Sequence, residues 1–170
     1  MGNKVWLQWL IIAGIVCILT FLIMSAFLIL NTTSLQREFN INPKNLTVID
    51  KGDTHGGFNG DVTYHIAVDC SKKKEEIKKT VSEWSELPLS ENLQLIMYGG
   101  EKDGMTYGYN LAGENNIPLI KNGYYCFLDR HSEAVDKYSD NDLFDRYSYN
   151  FSLAIYDTDT DILYYIRFDT

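Results

Sequence analysis

Between residues 53 and 65 the chain gathers side chains able to hold a metal ion or handle a proton. The stretch DTHGGFNGD (53–61) supplies Asp53, His55, Gly56, Gly57 and Asp61, and His65 follows four positions after Asp61. Imidazole and carboxylate groups are acceptable ligands for zinc or a similar ion. Spacing argues against that chemistry. In an extended strand Asp61 and His65 share a face about 13 Å apart, too far for one ion without a bend. The glycines suit positive φ or bulge geometry. The stretch is expected to be a Gly-rich turn between two strands. Asp53, His55, Gly56, Gly57 and Asp61 are candidates for contact with a ligand or partner. His55, Asp61 and His65 are metal candidates that lack a recognised ligand spacing.

Three other constellations invite the same question. DTDTD (157–161) resembles the start of a calcium loop, but Ile162 stands where the loop needs glycine and Phe168 where it needs a bidentate glutamate. An Asp-rich hairpin turn is the better account. CFLDRHSE (126–133) brings Cys126, Asp129, His131 and Ser132 close in sequence. On a strand, however, positions five apart point to opposite faces, so no nucleophile–base pair is expected. Cys70 and Cys126 could form a disulfide if the domain is exported and oxidised. Both flank apolar strand-like runs, and two buried free thiols are the preferred reading. No catalytic residue and no cofactor is assigned.

These residues need elements to position them. LTVIDK (46–51) and DVTYHIAVDC (61–70) read as strands, the second with Val62, Tyr64, Ile66 and Val68 in period two. SKKKEEIKKTVSEWSEL (71–87) reads as the main helix, with Ser71 as N-cap, Ile77, Val81 and Trp84 on one stripe, and Pro88 ending it. LQLIMY (93–98) and MTYGYNLA (105–112) read as strands around the loop GGEKDG. YYCFLDR (124–130) is apolar on both faces, as a central strand would be. YNFSLAIYD (149–157) and ILYYIRFD (162–169) form a closing hairpin. About seven strands and one main helix make the class α+β, a mostly antiparallel sheet covered by that helix. Ten of the twelve tyrosines fall between residues 107 and 165. Tyrosine builds sheets and also lines binding surfaces; sheet building is the preferred reading.

Ahead of this domain, residues 9–30 run without a charge. As a helix they would span about 33 Å, matching a bilayer core of about 30 Å. The run is too long for a cleavable signal peptide and exits into NTTSLQ without a small-residue cleavage pattern. A single transmembrane helix acting as an uncleaved signal-anchor is expected, after a tail of residues 1–8 and before a polar spacer at 31–45. The globular domain is then 46–170. With Lys4 and the α-amino group on one side and Arg37, Lys44 and Lys51 on the other, the positive-charge rule does not favour export of the domain. Single N-terminal anchors most often deliver the following chain outside, so an extracytoplasmic domain is expected.

Charge is uneven. Residues 1–100 carry 9 Lys and Arg against 10 Asp and Glu, and residues 101–170 carry 6 against 13, giving −1 and −7 of the total −8. So acidic a half repels phosphate backbones, and nucleic acid is excluded as a partner class.

DTHGGFNGD, SENLQLIMYGG (90–100), FLDRHSE (127–133) and YNFSLAIYDTDT (149–160) together resemble a group of small proteins from Gram-positive, clostridia-like bacteria, often with an N-terminal membrane segment. The resemblance covers most of residues 46–170. It implies a bacterial cell-envelope protein and contributes no catalytic residues, because the group has no assigned activity. The expected function is a membrane-anchored, non-catalytic binding or interaction domain with an unknown protein or small-molecule partner. One alternative is a metal-dependent or other enzyme using the 53–65 loop. Another is a cytoplasm-facing accessory subunit of a membrane complex.

Overall fold

The structure is a computed structural model that describes residues 2–30, 32–54 and 62–170; within 2–30, side chains are described for Trp6 and residues 9–25. The chain divides into two compact units, Met1–Ser34 and Leu35–Thr170.

The first unit holds one helix, α1 (Gly2–Leu30). Its described apolar side chains are exposed on every side, Trp9 at 66%, Phe21 at 71% and Ile23 at 68% among them. Thr20 and Ser25 return their hydroxyls to the helix's own carbonyls at Val16, Cys17 and Leu22. Among the described residues no helix is long and apolar enough to cross a membrane. Side chains of α1 are described continuously only over 9–25.

The second unit is α+β, built on a six-stranded antiparallel sheet. Its strands are β1 (Thr47–Asp53), β2 (Val62–Asp69), β3 (Ser85–Glu86), β6 (Gly123–Asp129), β7 (Asn150–Asp157) and β8 (Ile162–Asp169), in the order β1-β2-β8-β7-β6-β3. A separate two-stranded ribbon pairs β4 (Gly100–Lys102) with β5 (Met105–Tyr107). The closing hairpin forms as expected, with Asp157 opposite Ile162. β7 is central, and its alternation feeds two cores: Phe151, Leu153 and Ile155 on one face, Ala154 and Tyr156 on the other. Each large side chain so buried contributes roughly 1.5–3 kcal/mol.

Helices cover both faces, where one had been expected. Against the Tyr156 face lie α2 (Ser34–Phe39) and α3 (Lys74–Val81), contributing Leu35, Phe39, Ile77 and Val81. Residues 31–45 therefore include more than a spacer: Leu35, Phe39 and Ile41 are buried, and the packed unit starts at Leu35 instead of Leu46.

The main helix is also shorter than 71–87. Residues 71–73 form a 3-10 turn without a side-chain cap, and α3 ends at Val81. Ser71 is not the cap: it opens the 3-10 turn, its N–H donates to Asp69 Oδ1 at 2.8 Å, and Lys73 stands at the N-cap of α3. Ser85 and Glu86 are then drawn into pairing with β6. Trp84 still reaches the same core, its ring 5.8 Å from that of Phe39 in an edge-to-face contact.

The other face is covered by residues that the sequence reading had made strands. Residues 93–98 belong to α4 (Glu91–Tyr98), and residues 111–112 open α5 (Leu111–Glu114). Ser90 caps α4 by accepting the Leu93 N–H at 3.3 Å. Leu93, Ile96 and Met97, spaced i, i+3, i+4, then enter the core beside Phe151 and Leu153. Asn110 caps α5 through Gly113 N–H, which limits the expected 105–112 strand to Met105–Tyr107.

Candidate functional site

β1 and β2 do flank the Gly-rich stretch. Pairing of Asp53 with Tyr64 is extended by Thr54 N–H to the Thr63 carbonyl at 2.9 Å and by Thr63 N–H to Thr54 Oγ1 at 2.7 Å. Asp53 closes β1, while His55, Gly56, Gly57 and Asp61 lie outside the described residues.

His65 is described, and its neighbour is Asp50 rather than a loop residue. The ring, 12% exposed, sets Nε2 3.4 Å from Asp50 Oδ2 without a hydrogen bond. It lies over Gly52, where a Cβ would come within 2.3 Å of the ring and would have to push it aside. Asp50 accepts from Asn116 Nδ2 at 3.2 Å and from Lys51 N–H at 2.8 Å. Asn116 first, with help from Lys51 and His65, holds the Asp50 carboxyl below the usual range. Among the described residues no group of three or more His, Cys, Asp and Glu could hold a metal.

Cys70 and Cys126 are free thiols. Cys70 follows β2, and Cys126 lies on β6 with β8 and β7 between them. Three strand spacings are about 14 Å, against the roughly 4.4–6.8 Å a disulfide needs between Cα atoms. The possible Cys70–Cys126 bridge is therefore excluded by topology. Burial pushes the Cys70 thiol up to about 12 and the Cys126 thiol to about 11.

The remaining polar motifs are absorbed by structure. His131 contacts Ser148 Oγ through Nε2 at 3.2 Å and accepts Glu133 N–H at Nδ1. Asp129 is buried in an ion pair with Arg146 and accepts His131 N–H. In the β7–β8 turn, Asp157 accepts Thr160 Oγ1 at 2.7 Å and Asp159 N–H at 2.9 Å. Asp161 joins Tyr156 OH and Lys74 Nζ, both at 2.7 Å. An Asp-rich turn is what these bonds describe.

Among the described residues, two concave surfaces of more than 500 Å³ were not legible in the sequence. The first is an aromatic cleft of about 530 Å³ lined by Met105, Tyr107, Tyr109, Phe144 and Tyr149. Phe144 lies 4.6 Å from Tyr107 and 6.4 Å from Tyr109 between ring centroids. Tyr109 donates its hydroxyl to Tyr149 at 3.1 Å, and burial raises the Tyr149 phenol. With the Tyr109 and Tyr149 hydroxyls bonded to each other, the cleft presents ring faces suited to stacking on a flat ligand. Tyr107 and Tyr109, two positions apart and so on one side of extended backbone, were the available signal.

The second surface is a polar groove of about 600 Å³ beside the β6 edge, with Thr80, Trp84 and Ser85 along one side and Tyr138 and Asp140 among its other walls. Tyr125, Cys126 and Phe127 also line it.

Comparison with known proteins places no relative beside this geometry: no protein-family model, curated protein or solved structure matches the chain.

Proposed function

We propose that this is a single-pass membrane protein, anchored by residues 9–30, that displays the α+β unit outside the cytoplasm as a non-catalytic binding domain. The observation that carries the reading is the apolar surface of α1. Side chains from Trp9 to Met24 are exposed around the whole helix, and such a helix needs a hydrocarbon or protein environment. The uncharged sequence run extends to Leu30, long enough for a bilayer core. The Tyr107–Tyr109–Phe144–Tyr149 cleft supplies the binding face, and the ligand it suits presents a flat apolar side for stacking. Resemblance to clostridia-like envelope proteins agrees with that placement.

The test is alkaline-carbonate extraction of membranes from cells making the full chain, combined with paired reporters fused after Thr170. Retention in the pellet with activity only from the extracytoplasmic reporter is expected. Release into the supernatant would refute anchoring, and activity only from a cytoplasmic reporter would favour the accessory-subunit alternative. Metal analysis of the purified chain beside His55→Ala and His65→Ala addresses the enzyme alternative. Stoichiometric zinc lost in either variant would replace the binding reading with a metal site at 53–65.

A further inference from the structure

The β6 edge facing the polar groove is paired on both sides of a single gap. Leu87 N–H donates to the Gly123 carbonyl at 3.0 Å, which turns the backbone groups of Gly123 outward, away from β7. Strand alternation then turns those of Tyr125, Phe127 and Asp129 the same way. Tyr125 is opposite Ser85 in β3, and Asp129 N–H donates to the Lys137 carbonyl at 2.7 Å. Between them β3 has already left the edge, because residues 82–84 turn back toward α3 through Trp84 N–H to the Val81 carbonyl. Among the described residues nothing pairs with the outward N–H and C=O of Phe127, although its side chain is buried.

We propose that this gap binds a short extended peptide segment from a partner polypeptide, which completes the ladder opposite Phe127. One residue of the segment accepts Phe127 N–H with its carbonyl and donates its own N–H to the Phe127 carbonyl. That exchange is the hydrogen-bonded pair of an antiparallel sheet. The occupant is a peptide because the vacant donor and acceptor lie at ladder spacing between rungs already paired with backbone at Ser85 and Lys137, the arrangement an added strand residue completes. The segment is short because Ser85 and Lys137 bound the gap, leaving room for about three residues at roughly 3.4 Å each. A groove of about 600 Å³ accommodates that length. Residues flanking the central one stand on the Cys126 face, toward Trp84 and Thr80, so small or aromatic side chains fit there. Proline is excluded at the central position, since it has no N–H to give.

The test uses the full chain, isotope-labelled in detergent micelles, titrated with capped Ala-Val-Ala and with the same peptide N-methylated at the central valine. The expected result is a shift of the Phe127 amide resonance with slowed hydrogen exchange. The N-methylated peptide should bind at least about tenfold more weakly, because one bond is lost and the partner carbonyl is left unpaired. Tyr138→Ala, at a position already 70% exposed, should weaken binding while leaving the rest of the spectrum in place. An unmoved Phe127 amide, or equal binding of both peptides, would overturn the proposal. A concentration-dependent shift of Phe127 without peptide would overturn it in favour of a second copy of the chain.

Discussion

Arg146→Ala is expected to be among the most damaging single substitutions in the domain. Asp129 is 1% exposed, and its carboxylate is held by the Arg146 guanidinium and by His131 N–H. Removing the guanidinium strands a negative charge where water cannot reach it, at a cost of about 3–5 kcal/mol. Arg146 also bonds the Asp142 carbonyl at 3.2 Å, so a local tie in the 131–149 segment is lost too. Against a typical total of about 5–15 kcal/mol, the variant would lose about a fifth of its stability or more. Neutralising both members tests the cause: Asp129→Asn with Arg146→Met removes the stranded charge and should recover most of the loss. Urea unfolding of the full chain in micelles, followed by near-ultraviolet circular dichroism, measures all three proteins. A loss below about 1 kcal/mol for Arg146→Ala would refute the reasoning, as would a double variant no more stable than the single one.

Leu153, fully buried at the centre of β7, should cost about 2–5 kcal/mol when changed to Ala, read by the same unfolding curve. Asp161 is held below the usual carboxylate range by Lys74 and then by Tyr156. Its contribution is therefore present above the unfolded carboxylate pKa of about 4 and lost as pH falls through the lower folded value. Lys74→Met should be less stable than the parent at pH 7 and should lose less on acidification to pH 3; an unchanged acid limb would exclude the link. With thiols raised to about 12 and about 11, Cys70 and Cys126 should resist alkylation at pH 7 until the domain unfolds. An intramolecular Cys70–Cys126 disulfide found by mass spectrometry in the native chain would contradict the strand order.

The sheet was legible where alternation was strong. Val62 to Val68 and the pair 150–157 and 162–169 formed the strands read from them. LQLIMY failed because a six-residue stretch broken only by Gln94 satisfies a buried strand and a buried helix equally. Ser90 was the arbiter: a capping hydroxyl three residues before Leu93 marks a helix start. The segment after α1 failed for a different reason. Leu35, Phe39 and Ile41 are isolated among polar neighbours, and nothing local reveals that Glu38 will accept the Tyr165 hydroxyl at 2.8 Å. Tertiary partners from residues more than a hundred positions away decide that placement. The aromatic cleft was hidden likewise, since Phe144 meets Tyr107 and Tyr109 only after the 131–149 segment folds back.

That segment ties the two concave surfaces together. It contributes Tyr138 and Asp140 to the β6 groove, and Phe144 and Tyr149 to the aromatic cleft. Its course is fixed at three places: the Asp129–Arg146 pair, Leu143 buried in the core, and Asp140, which accepts Ser90 Oγ through its carboxylate and Asn92 Nδ2 at its carbonyl. The Ser90 that caps α4 is thus also a post for the segment, so α4 and both surfaces share one set of bonds.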